Sequence, residues 1–200
     1  MFTGIIEAMG RIERVAEKGT NKSFWIKSPL TAQFKVDQSI AHNGVCLTVE
    51  VIESNLYKVT AVQETLNKTA LRQWQPGTVI NLERSLQLSS RLDGHFVQGH
   101  VDTTGLCECI ENKDGSYELT FSFPHAYAEL LIEKGSICVN GISLTAFRVT
   151  DTTFTVAVIP YTWQHTNLQF LKEKEAVNLE FDLIGKYLLR KVQLQKSGDG

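Results

Sequence analysis

The chain has 200 residues, 42% hydrophobic and 21% charged, which is the balance of a folded globular protein and not of a disordered one. A net charge of -2 and a pI near 6.2 offer no basic stripe for tracking phosphates and argue against nucleic-acid binding. No apolar run approaches the length of a membrane span, and Met1-Phe2-Thr3-Gly4 lacks the basic stretch and apolar core of a secretory signal.

In chain order, Lys22–Ile26, Cys46–Ile52, Leu56–Val62 and Val79–Arg84 are short apolar or alternating runs between turn residues, so they read as strands. Asn43-Gly44 reads as a hairpin turn, because both residues tolerate positive φ. Glu64–Trp74 reads as helical, and Gln87–Val97, with Ser89-Ser90 and Asp93-Gly94, reads as a connection. Ala126–Glu133 and Thr162–Leu171 read as helical again. Lys186–Gln195 places Tyr187, Leu188, Leu189 and Val192 among basic residues, the pattern of a short amphipathic helix that caps its own barrel or packs against other subunits.

Self-similarity organises these elements. Asn43-Gly44-Val45-Cys46-Leu47-Thr48 recurs as Asn140-Gly141-Ile142-Ser143-Leu144-Thr145, a shift of 97 residues. The same shift carries Ser39-Ile40 to Ser136-Ile137, Thr65 to Thr162, and Asn81-Leu82-Glu83 to Asn178-Leu179-Glu180. Near each start the shift is 95, with Gly4, Glu7 and Gly10 matching Gly99, Asp102 and Gly105. One unit has been duplicated. The expected fold is all-β: two tandem homologous six-stranded Greek-key barrels with short helical inserts, plus a C-terminal α-helix. The expected division is 1–94, 95–186, and a helix and tail over 187–200, each half being a complete barrel that borrows no strand from the other.

The two copies differ where chemistry would lie. Cys46 stands opposite Ser143, Ile5 opposite His100, Asp37 opposite Lys134, Glu64 opposite Tyr161, and Ser85 opposite Asp182. Each has a plain structural reading. Cys46, on an apolar strand, is a small buried hydrophobe; Lys134 is a solvated turn residue, Asp182 a strand-end charge and Phe2 a frayed terminus. His95 and His100 have the spacing of two metal ligands without a third at a persuasive distance. The four cysteines, Cys46, Cys107, Cys109 and Cys138, form no CxxC pair and read as reduced thiols of a cytoplasmic protein.

The opening Met1-Phe2-Thr3-Gly4-Ile5-Ile6-Glu7, the two Asn-Gly-x-Cys/Ser-Leu-Thr boxes, and the run from Gly94 to Asp102 together resemble the riboflavin synthase family. So do Ile159-Pro160-Tyr161-Thr162 and the run from Asn178 to Tyr187, so the resemblance covers the chain as far as Tyr187. It implies a cofactor-free transferase acting on two molecules of a lumazine, one in each barrel. The partners implied are those two substrates and, in a homotrimer, other copies of the chain; whether a lumazine synthase associates with it stays open. The N-terminal site implied uses Gly4, Ile5, Ile6, Cys46, Leu47, Thr48, Thr60, Ala61, Val62, Gln63, Glu64 and Thr65. The C-terminal site implied uses Gly99, His100, Val101, Lys134, Ser143, Leu144, Thr145, Ile159, Pro160, Tyr161, Thr162, Trp163 and Gln164. His100 is the expected proton-transfer group, since an imidazole titrates near neutrality. Cys46 or Ser39 is the expected nucleophile, or positions a water, and Phe2, Ser143 and Asp182 complete the catalytic candidates. The rival function is a carrier of the lumazine-protein type, which needs one working site and turns nothing over. An oligonucleotide-binding barrel is the second rival, weakened by the missing basic groove.

Overall fold

The computed structural model describes residues 1–198; Asp199 and Gly200, expected in the C-terminal tail, lie outside the described residues. Thirteen strands and three α-helices run in order among those residues. The first half holds β1 (Ala8–Lys18), β2 (Asn21–Lys27), β3 (Ser39–His42), β4 (Val45–Thr48), β5 (Val51–Glu53), β6 (Leu56–Ala61), α1 (Gln63–Lys68) and β7 (Val79–Arg84). The second holds β8 (Thr103–Asn112), β9 (Tyr117–Ser122), β10 (Ser136–Val139), β11 (Ile142–Phe147), β12 (Thr153–Val158), α2 (Pro160–His165), β13 (Ala176–Phe181) and α3 (Leu183–Gly198).

The second half is a closed six-stranded barrel in the order β10-β11-β12-β9-β8-β13, a Greek key. The first half repeats that order with one difference: β4-β3-β7-β1-β2-β6-β5 is a seven-stranded sheet. The expected strand Cys46–Ile52 is split. β4 pairs with β3, β5 pairs with β6, and Val49 and Glu50 turn the corner between them. The Val49 N–H bonds back to Gln38 at 2.9 Å and the Glu50 N–H bonds forward to Lys58 at 2.9 Å, so the chain itself joins the two ends of the sheet.

Alternation decides which side chains fill each barrel. In β2, Lys22, Phe24 and Ile26 are buried between less buried neighbours. Ile40, Tyr57, Val59 and Leu82 fill the first core, and their counterparts 97 residues on, Ile137, Phe154, Val156 and Leu179, fill the second. Each such side chain, fully withdrawn from water, contributes roughly 1.5–3 kcal/mol.

The helical inserts are shorter than their sequence suggests. Glu64–Trp74 becomes α1 and a separate 3-10 turn over Ala70–Gln73, broken at Thr69, whose hydroxyl accepts from the Leu71 N–H at 3.3 Å. Thr162–Leu171 divides the same way at Thr166. A β-branched residue with its own backbone bonds competes with the helix at both places. Ala126–Glu133 is a 3-10 segment over His125–Leu130. The C-terminal helix starts earlier than expected, because the Asp182 carboxylate accepts from the Ile184 N–H at 2.9 Å and caps α3.

The barrels meet across a local pseudo-two-fold axis. Asn43, Gly44, Asn140 and Gly141 all have positive φ, as two-residue hairpin turns require. The two turns touch: a Cβ on Gly44 would lie 2.8 Å from the Gly141 nitrogen, and one on Gly141 would lie 2.7 Å from the Gly44 nitrogen. Around them the Asn81 amide donates to the Asn140 carbonyl at 3.0 Å, and its mate Asn178 donates to the Asn43 carbonyl at 2.8 Å. Asn167, which replaces Ala70 of the first copy, adds a bond to Asn43 at 3.2 Å. Buried amides are tolerated only when bonded this fully.

Candidate functional site

Both glycine-bearing segments that precede the first strand of a barrel lie against the other barrel. Gly4 and Gly99 have φ of +77° and +78°, and neither has room for a side chain. A Cβ on Gly4 would meet the Ser143 Cβ at 2.6 Å, and one on Gly99 would meet the Cys46 Cβ at 2.7 Å. The Ser143 N–H donates to the Gly4 carbonyl and the Cys46 N–H to the Gly99 carbonyl, each at 2.8 Å. Ile6 packs on the second core and Val101 on the first.

This corrects the expected grouping. Gly4 and Ile6 belong with Ser143 and the second barrel, and Gly99, His100 and Val101 belong beside Cys46. The physical cause is the short antiparallel bridge in which the Phe2 and Val97 backbones exchange hydrogen bonds of 2.7 and 3.1 Å. It carries each segment across the pseudo-two-fold axis before the chain enters its own barrel.

The first site is a pocket of about 240 Å³ lined by Val45, Cys46, Glu64, Thr65, Lys68, Thr69, Gly99, His100 and Val101. Cys46 and Thr48 alternate outward on β4, while Leu47 and Val49 point into the core. Ser39 is paired with Thr48 and Ala41 with Cys46 on that outer face, so Ser39 is one pair removed from the thiol. The Thr60 hydroxyl is bonded to Ser23 at 2.8 Å, the Ala61 side chain is buried, and Val62, Gln63 and Glu64 are exposed at the rim.

Phe2 is not a frayed terminus. It is fully buried with Ala41, Val97 and Cys138, and Cys46 packs against that cluster. A Cβ on Gly99 would lie 2.8 Å from its ring, so Phe2 backs the segment that lines the pocket.

The second site centres on Ser143. Its hydroxyl is 2.6 Å from Nδ1 of His95, a buried residue outside the catalytic candidates expected from the sequence. Burial lowers the His95 pKa, and the negative charge of Asp182 offsets part of that effect. Thr145 is exposed on the same face of β11, whereas the Leu144 side chain joins the core. Lys134 occupies a turn at φ +63°, its Nζ 5.2 Å from the centre of the Phe147 ring. On the rim, Ile159, Pro160, Tyr161 and Gln164 are exposed and Thr162 is half-buried. Tyr161 stacks on His165 and Trp163 on Tyr117, each with ring centres 4.0 Å apart.

The two histidines of the Gly94–Asp102 run are therefore divided, His95 to Ser143 and His100 to Cys46. No group of three metal-ligating side chains occurs among the described residues. The signal for His95 was its place beside Gly94, where a Cβ would lie 2.0 Å from the Thr3 carbonyl and 2.9 Å from the Ser143 Cβ. Burial pushes the Cys107 thiol up to about 12 and raises Cys138 as well, so both stay protonated, and Cys46 is the cysteine that lines the pocket. A larger cleft of about 800 Å³, which includes Glu7, Lys35, Asp37, Arg84 and Arg91, takes in Ile5 but neither the Cys46 nor the Ser143 box. Its lining includes the Arg84–Glu7 ion pair.

Comparison with known proteins agrees with the duplicated design. The lumazine binding domain family matches residues 3–85 and again 98–182. The chain is 39% identical over 191 residues to the riboflavin synthase of Bacillus subtilis, covering 95% of this chain and 89% of that one. It is 38% identical to the riboflavin synthase of Mycobacterium tuberculosis strain H37Rv, covering 95% and 97%. The fold superposes on LumP complexed with riboflavin with a TM-score of 0.85 at 22% identity, covering 90% of this chain and 99% of that one, a likeness of fold alone. The chain is an enzyme of the riboflavin synthase type and belongs to the riboflavin synthase family of duplicated lumazine-binding barrels.

Proposed function

We propose that the chain converts two molecules of 6,7-dimethyl-8-ribityllumazine into riboflavin and 5-amino-6-ribitylaminouracil. The observation that carries the reading is the chemical difference between two sites of one architecture. One presents a thiol with His100, the other a hydroxyl with His95 and Asp182. A reaction between two identical substrates with unlike fates needs that difference.

A four-carbon unit leaves one lumazine and joins the other, and the products together hold every atom of the two substrates. No oxidant or cofactor is called for. In this reading the acidic C7 methyl group of the lumazine in the second site loses a proton to His95 by way of Ser143. The lowered pKa of His95 keeps its imidazole neutral and able to accept. Cys46, or a water it positions, adds to the partner ring in the first site, with His100 transferring protons there. Thr48, Thr145 and the crossed backbone segments hold ring and ribityl oxygens. Holding two rings face to face can lower the barrier by roughly 7–11 kcal/mol.

The same reading takes the working unit to be a cytoplasmic homotrimer in which the first barrel of one subunit faces the second barrel of another. Among the described residues no helix is long and apolar enough to cross a membrane.

The test is incubation of the purified chain with the lumazine alone, before and after exhaustive chelation, with chromatography for both products. One riboflavin per two lumazines consumed, unchanged by chelation, is expected. A strict need for an added cofactor would sink the proposal. Lumazine that stays bound and unconverted would make the chain a carrier.

A further inference from the structure

The repeated Asn-Leu-Glu triplet ends in a carboxylate that the proposed chemistry does not use. Glu83 on β7 and Glu180 on β13 are only 4% and 2% exposed. The nearby cations are already engaged, Arg84 by Glu7 and Lys186 by Asp102. A carboxylate buried without a cation is retained only if other donors satisfy it. Here the donors all belong to the crossed segments. Glu83 Oε1 accepts from the Thr3 N–H at 2.6 Å and from the Thr3 hydroxyl at 2.7 Å, and Oε2 accepts from the Gly4 N–H at 2.9 Å. Glu180 Oε1 accepts from the Gln98 N–H at 2.6 Å, and Oε2 accepts from the Gly99 and His100 N–H groups at 2.9 Å each.

We propose that Glu83 and Glu180 are positioning residues that act crosswise, each holding, from the last strand of one barrel, a wall of the other barrel's ligand site. Glu180, in the second barrel, fixes Gly99–Val101 beside Cys46 of the first. Glu83, in the first barrel, fixes Gly4–Ile6 beside Ser143 of the second. Both oxygens of each carboxylate are needed as acceptors. A glutamine keeps one of them and turns an NH₂ toward a backbone N–H, donor against donor. An aspartate keeps both acceptors but falls one methylene short. Binding in each barrel therefore depends on the last strand of the other. The inference rests on the lumazine reading only for the identity of the ligand.

The geometry supplies its own reporters, because the Cys46 and Ser143 N–H groups each bond to a crossed segment. Amide exchange is measured by NMR on the full chain and on Glu83→Gln and Glu180→Gln, free and with riboflavin. Glu180→Gln should speed exchange at Cys46 by about tenfold or more, leave Ser143 unchanged, and abolish riboflavin protection at Cys46 only. Glu83→Gln should do the reverse, and Glu180→Asp should recover part of the protection that Glu180→Gln loses. If a glutamine variant does not fold, Glu83→Asp and Glu180→Asp carry the same comparison, each speeding exchange at its own reporter. Equal acceleration at both amides, or none at either, overturns the proposal. Failure of the wild-type chain to turn over lumazine would instead defeat the functional reading, and the exchange pattern without ligand would still decide this one.

Discussion

His100 reaches the pocket beside Cys46 because Gly99, at φ +78°, turns the chain where a side chain would strike the thiol-bearing residue. Replacing His100 by Gln should lower turnover by ~10²–10⁴-fold, the usual worth of a positioned proton-transfer group, while ligand binding changes little. Steady-state rates set beside a riboflavin titration measure the two separately; near-normal turnover would make His100 a lining residue only. His42 has a different effect. Its Nδ1 donates to the Ile40 carbonyl at 2.9 Å, Nε2 accepts from the Tyr57 hydroxyl at 2.9 Å, and burial pushes its pKa down to about 4. The unfolded chain, with a histidine pKa near 6.5, therefore binds a proton that the folded chain refuses. The stability contributed is complete above pH ~6.5 and is lost as pH falls toward ~4, in total on the order of 3 kcal/mol. Glu83 and Glu180, raised by burial, slope the opposite way as pH rises above their unfolded values, so wild type alone does not isolate the effect. The second barrel carries Val139 and Phe154 at the matching positions. The double variant His42→Val, Tyr57→Phe should thus show a weaker loss of stability than wild type when urea unfolding is compared at pH 7 and pH 5. Parallel curves would contradict the assignment.

At the scale of elements, α3 is the part without a counterpart in the repeat. Its first turn is tied to the second barrel through the Asp182 cap and the ion pair between Lys186 and Asp102 at 2.6 Å. Along α3, Ile184, Tyr187, Leu188, Val192 and Leu194 are exposed, an apolar face the single chain does not cover. Removing residues 186–200 should weaken self-association more than it unfolds either barrel. Sedimentation of the truncated chain checks this, and an unchanged oligomer would restrict α3 to capping its own subunit. In the first barrel, β6 was readable from alternation, since a half-buried surface imposes a period of two. The corner at Val49–Glu50 was not, because both residues suit a strand and only the change of partner from β3 to β6 breaks it.

At the scale of the molecule, the crossed segments change what half of it can do. A fragment of residues 1–93 keeps β1 to β7 but lacks Val97, which bridges Phe2, and Gly99–Val101, which line its pocket. The expectation that each half carries a whole site fails for that reason. Residues 1–102 restore that segment but not Glu180, the carboxylate that holds it. They should bind riboflavin at least about tenfold more weakly than the full chain, about 1.4 kcal/mol, and neither fragment should turn over appreciably. Fluorescence titration of residues 1–102 beside the full chain gives the comparison; equal affinity would mean that the second barrel does not position the wall. Full turnover by residues 1–102 would remove the need for two unlike barrels.

The sequence by itself determined the duplication, the all-β class, the Asn-Gly turns and the chemical difference between Cys46 and Ser143. All of these are local: a turn needs residues that accept positive φ, a strand needs alternation, and a repeat needs only comparison with itself. Only the tertiary structure decided which segment serves which barrel, that Phe2 is buried behind the first site, and that His95 belongs to Ser143. A pseudo-two-fold exchange leaves no mark in a repeat. Gly4 and Gly99 satisfy the same strained turn whichever barrel they touch, and the bridge between Phe2 and Val97 is made of backbone, which carries no sequence signal.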